Sequence, residues 1–94
     1  MRLSKNDRTA LYLLRVWLAS PGGPVTFLQA GVVVGGLEDA HLRADVGEIS
    51  HAWAMGVAGV REALVEAIGY VLDPEDCHAT FRQAYGSAGA NLFG

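Results

Sequence analysis

The chain has 94 residues, a hydrophobic fraction of 51%, a formal net charge of -3 and one cysteine. Such a length suits one domain with one core and buries only roughly 60–65% of the unfolded surface. A lone cysteine excludes an internal disulfide framework, and the acidic balance, with a pI near 5.4, argues against generic binding to polyanions.

A small core without cross-links makes self-association and a reducing, cytoplasmic setting the natural expectations. The charge is also uneven. Arg2, Lys5, Arg8 and Arg15 outnumber Asp7 at the start, while the remainder is acidic, an asymmetry that suits either an antiparallel self-contact or a solvated first helix.

Ser4 is a good N-cap and Asp7 stands where a capping-box acid would. A helix is expected from about Lys5 to Ala19, with Leu11, Leu14 and Leu18 on one face, Tyr12 and Trp17 widening it, and Lys5, Arg8 and Arg15 opposite. Pro21, Gly22, Gly23 and Pro24 then stop it. No charge occurs from Val16 to Leu37, a run long enough to span a bilayer, but this Pro/Gly interruption leaves the apolar piece after it too short. Arg15 inside the first apolar stretch likewise argues against an exported leader.

Residues 25–34 read two ways. Val25, Thr26, Phe27 and Val32 to Val34 favour a short β-hairpin, whereas a buried helix over Thr26 to Val34 needs no further strands to complete a sheet. The helix is the reading taken. A short helix from Leu37 to about Gly47 follows, and Ser50 would then cap one long helix running to Leu72. Trp53, Val57, Val60, Leu64, Ile68 and Val71 form its apolar stripe. Gly56, Gly59, Ala63 and Ala67 form a small-residue stripe beside it, suited to close approach of another helix. Asp73 and Pro74 would open a last helix to Tyr85, with Cys77 a buried thiol, Phe81 packed inside and residues 86–94 a flexible tail.

Catalytic and metal chemistry find little support. Zinc signatures pair ligands two to five residues apart, and His41, His51, Cys77 and His78 lack that spacing. Asp73, Glu75 and Asp76 oppose ionisation of the Cys77 thiol. The GVVVGG run has neither phosphate-loop pattern, and Glu62 and Glu66 suggest a solvated face or a basic partner more than catalysis.

The fold expected is therefore mainly α, a single-domain bundle of four to five helices over 1–94. Its expected function is a non-enzymatic protein–protein interaction module, accessory, regulatory or inhibitory, self-associating through the long central helix. No cofactor, metal, membrane or nucleic acid is assigned to it. Candidate contact residues are Tyr12, Trp17, Trp53, Val57, Val60, Leu64, Leu92 and Phe93, since aromatic side chains are frequent anchors; each also suits a core position. The alternatives are a helix-turn-helix or winged-helix DNA-binding regulator, disfavoured by the acidic LEDAHLRADVGE segment, and a small metal- or thiol-dependent enzyme subunit.

Overall fold

The structure, a computed structural model, describes residues 1–20 and 27–89. Among the described residues it has five helices and no strand: α1 (Lys5–Ala19), α2 (Phe27–Gly35), α3 (Ala40–Ala54), α4 (Val60–Leu72) and α5 (Phe81–Ser87). The fold is a small all-α bundle, and the stretch left open between hairpin and helix is helical from Phe27 onward. Residues 25 and 26 lie outside the described part.

α1 begins as its sequence dictates, with the Ser4 hydroxyl accepting from the Asp7 N–H at 3.1 Å. Leu11, Leu14 and Leu18 are buried along one face. They pack on α4, whose Val60, Leu64, Ile68 and Val71 are almost completely covered. The two helices run antiparallel, as their polar ties show. Arg8 Nη1 donates to the Leu72 carbonyl at the end of α4, while Arg61 at the start of α4 donates to the Leu18 and Ser20 carbonyls at 2.7 and 3.2 Å. Those carbonyls belong to the open end of α1, so Arg61 supplies donors that the helix itself lacks. On the facing surface, Gly69 leaves room for Arg15: a Cβ added there would meet Arg15 Nη2 at 3.4 Å.

The expected long helix from Ser50 to Leu72 is two helices. Gly56 and Gly59 adopt φ of +81° and +80°, a left-handed conformation that costs an L side chain roughly 1–2 kcal/mol. Around Gly56 the chain closes α3 with paired bonds, Gly56 N–H to the Trp53 carbonyl at 3.0 Å and Val57 N–H to the Ala52 carbonyl at 3.1 Å. This is the glycine-terminated helix end in which two orphan carbonyls find donors. Gly59 then stands at the N-cap of α4. Consequently the helix expected to stop near Gly47 continues to Ala54 from its own N-cap at Asp39, and Ser50 lies inside it rather than at a boundary.

The last helix is also displaced. Asp73 closes α4 and its Oδ1 accepts from the Glu75 N–H at 2.8 Å, a local turn that competes with helix initiation. The true start is Thr80, whose hydroxyl accepts from Gln83 N–H. Cys77 therefore sits in a loop and is exposed, not buried under a helix as expected. Phe81 is fully buried, and Gly86 and Ser87, assigned to the tail, complete α5.

Asp7 is the polar group that the core encloses most completely, at 1% exposure. Its Oδ1 accepts from the Glu38 N–H at 2.7 Å and its Oδ2 from the Asp39 N–H at 3.1 Å. Asn6 adds bonds to Asp7 Oδ1 and to the Gly36 carbonyl, each 3.2 Å. Arg43 holds the Leu37 carbonyl at 2.8 Å. The turn between α2 and α3 is thus tied to the first turn of α1 through Gly36, Glu38 and Asp39, and to α3 through Leu37. Burial disfavours the Asp7 carboxylate, yet the Glu38 and Asp39 N–H groups, with Asn6 and Ser4, prevail and hold its pKa below the ordinary value.

Replacing Asp7 by Asn keeps the shape but removes the charge and turns one acceptor into a donor facing an N–H. The expected loss is about 1–3 kcal/mol in urea denaturation. Because the folded-state pKa is depressed, the wild-type contribution is complete above the unfolded pKa and disappears as pH falls through the folded one. Asp7→Asn is therefore expected to lower stability at neutral pH and to flatten its decline under acid.

Candidate functional site

Two regions carry features that the core does not use. The first is apolar. Leu28 and Val32 of α2 are 79% and 71% exposed, and Tyr12 of α1 is 60% exposed, with Leu13 and Val16 also uncovered. Their spacing explains this. On α2, Ala30 and Val34 turn inward, so Leu28 and Val32, one turn apart, lie on the opposite side. On α1, Leu11, Leu14 and Leu18 turn inward and leave Tyr12 and Val16 outward by the same geometry. The two helices pack on one another and are joined by the Asn6 bond to Gly36. No charged residue occurs within α2. Gly31 and Gly35, beside Leu28 and Val32, have open space where a Cβ would stand.

Next to this face, α2 and α3 enclose a groove of about 230 Å³ bordered by Gly31, Val34, Gly47, Ser50 and Trp53. A larger cleft, about 530 Å³, lies between the α3–α4 turn and α5 and is lined by Val57, Val60, Glu62, Tyr85 and Gly89. Burial pushes the Tyr85 phenol pKa up.

The second region is polar and lies in the loop between α4 and α5. The Asp76 side chain is covered, at 4% exposure. Its Oδ1 accepts the His78 backbone N–H at 2.9 Å and meets His78 Nδ1 at the same distance. The Met1 ammonium lies 3.3 Å from Oδ2. Burial opposes ionisation of Asp76, but the His78 donors and the Met1 ammonium outweigh it and lower its pKa. On the far side of the ring, His78 Nε2 lies 3.0 Å from Ser87 Oγ on α5. The ring itself stacks on Tyr70, 5.8 Å between centroids and 19° from parallel. Tyr70 in turn donates its hydroxyl to Glu66, which raises the pKa of the phenol.

The residues singled out by sequence divide sharply. Tyr12 and Val57 are exposed, Trp17 and Trp53 are half-buried, and Val60 and Leu64 belong to the core. They do not form one surface, because the turn at 55–59 ends the stripe on which four of them were placed. Leu92 and Phe93 lie outside the described residues. His41 and His51 are exposed, His41 lying 3.5 Å from the mostly buried Asp45 one turn on. Among the described residues no three His, Cys, Asp or Glu side chains gather as a metal site would require, and no helix is long and apolar enough to cross a membrane. Compared with protein-family models, curated proteins and solved structures, the chain matches none.

Sequence reasoning misses Leu28 and Val32, because so apolar a helix is expected to be buried all round. It also misses Ser87, since nothing in GSAG signals that a histidine nine residues earlier will return to it. The ring geometry of His78 makes its own prediction. A carboxylate only accepts hydrogen bonds, so the proton belongs on Nδ1, leaving Nε2 free to accept from Ser87. Nitrogen-15 NMR of the neutral ring is expected to show the Nδ1–H tautomer. Finding Nε2–H instead would mean that Asp76 does not orient the ring.

Proposed function

We propose that the chain is a protein–protein interaction module, accessory, regulatory or inhibitory in role, which binds a second copy or another protein through the outward side of α1 and α2. One observation carries this reading: Leu28 and Val32 are largely exposed on a helix without a charged residue. Large apolar side chains exposed on one helix mark a place where another molecule is bound. Gly31 and Gly35 support it, because the missing side chains let a partner's backbone approach. The burial of Val60 and Leu64 in the core supports placing the contact on α2 rather than on the central-helix stripe. The lack of charge in α2 supports a non-enzymatic role, since that helix presents neither acid nor base. A cytoplasmic setting suits the exposed, unpaired Cys77, which an oxidising compartment would drive toward disulfide exchange.

The test is association measured by light scattering and sedimentation on the wild type and on Leu28→Lys/Val32→Lys. Burying side chains of this size contributes about 1.5–3 kcal/mol each, so losing them is expected to weaken association at least roughly 10- to 100-fold. Folding is expected to survive, as exposed positions tolerate such changes within about 0.5 kcal/mol. Association that the double variant leaves untouched, or a strictly monomeric chain that retains no partner on capture, would remove this reading.

A further inference from the structure

We infer that Ser87 is a general-base-activated nucleophile: an acyl-acceptor site in which His78 takes the serine proton, Asp76 orients His78, and the donor is an activated ester or thioester. The proposal concerns a region separate from the apolar face and goes beyond the interaction reading.

The geometry has three links. Asp76 Oδ1 to His78 Nδ1 is 2.9 Å, and His78 Nε2 to Ser87 Oγ is 3.0 Å, both within the reach that proton transfer requires. Exposure is graded along the chain. The carboxylate is 4% exposed and the imidazole 20%, while Ser87 is open to solvent. The orienting group is thus shielded and the reacting hydroxyl is accessible, as a nucleophile, base and orienter need to be.

His78 is also held rigidly. Its own N–H is tied to Asp76, its carbonyl accepts from the Met1 ammonium, and its ring rests on Tyr70. Pre-positioning of this kind is what separates an activated hydroxyl from an ordinary one. The other two serines with a described hydrogen bond lack a base. Ser20 donates to the Val16 carbonyl and Ser4 accepts from Asp7 N–H.

The step balances without an external oxidant or metal. Ser87 Oγ attacks the carbonyl carbon of the donor as His78 Nε2 receives the hydroxyl proton. A new C–O bond forms, the donor's C–O or C–S bond breaks, and the proton passes from His78 to the departing alkoxide or thiolate. The imidazolium formed on the way is stabilised by Asp76 and by the negative end of α5, since Ser87 is its last residue.

Release of the acyl group is expected to be slow. The Ala88 and Gly89 N–H groups that follow Ser87 are spent on α5 carbonyls, so they do not form an oxyanion hole for the tetrahedral intermediate. An activated donor carries enough leaving-group ability to acylate the serine regardless. The ordinary alkyl ester that results does not, and the adduct accumulates. Ser87 is accordingly a modification site more than a turnover site.

The experiment is to incubate the full chain with para-nitrophenyl acetate at neutral pH and to map acetyl groups by peptide mass spectrometry. Acetylation of Ser87 is expected ahead of Ser4 and Ser20 in the same chain, with rapid release of about one nitrophenolate per molecule followed by a slow phase. His78→Gln, with its helical signal retained, is expected to slow labelling of Ser87 by roughly 100-fold or more. A purely structural tie between His78 and Ser87 predicts no such preference. Ser87 labelled no faster than Ser4 and Ser20, or equally fast in folded His78→Gln, would overturn the proposal. The comparison within the wild-type chain decides the matter even if the variant fails to fold.

Discussion

The carboxylate of Asp7 is the constraint on which the arrangement of this molecule depends. A buried charge is costly unless donors surround it, and here the donors are the backbone N–H groups of Glu38 and Asp39 at the entry to α3. Both belong to residues that have no helical partner at that position, so one side chain satisfies two orphan groups and neutralises its own burial. The consequence is topological. α1 must lie with its first turn against the α2–α3 turn, Leu37 is driven into the core at 2% exposure, and α2 is carried to the edge of the bundle with only one side covered.

That placement explains why a strongly apolar helix shows so much of itself. Among the described residues, α4 has neighbours on three sides, α1, α3 and α5, while α2 packs on α3 and α1 alone. Ala30 and Val34 satisfy the inward demand of α2, and Leu28 and Val32 are left without a counterpart. The interaction reading rests on that surplus.

Much of this was legible from residue order. Ser4 and Leu11, Leu14 and Leu18 specify α1 within a residue at each end, and the choice of helix over hairpin for the valine-rich stretch holds from Phe27 on. Where the structure departs from residue order, two local signals compete. Trp53, Val57, Val60 and Leu64 keep helical spacing straight through Gly56 and Gly59, so periodicity concealed two glycines whose positive φ values end one helix and start another. At 73–80 the Asp-Pro pair has the form of a helix start, yet Asp73 and Asp76 both turn their side chains onto nearby backbone N–H groups and build a loop. Local hydrogen bonding of this kind is invisible to apolar patterning. The His78 to Ser87 contact and the outward face of α2 are tertiary in origin. They depend on where α5 and α3 come to rest, which no local motif encodes. Asp7 itself was visible as a capping acid, but its reach to residues 38 and 39 spans 31 and 32 positions.

If the Asp7 clamp organises the bundle, the two amides it holds must behave as a pair. Amide hydrogen exchange followed by NMR across a series of acidic pH values tests this directly. Strong protection of the Glu38 and Asp39 amides at neutral pH is expected, with both losing it together as Asp7 takes up its proton and before the α4 core amides open. Exchange of these two amides at the rate of an open loop at neutral pH would contradict the account.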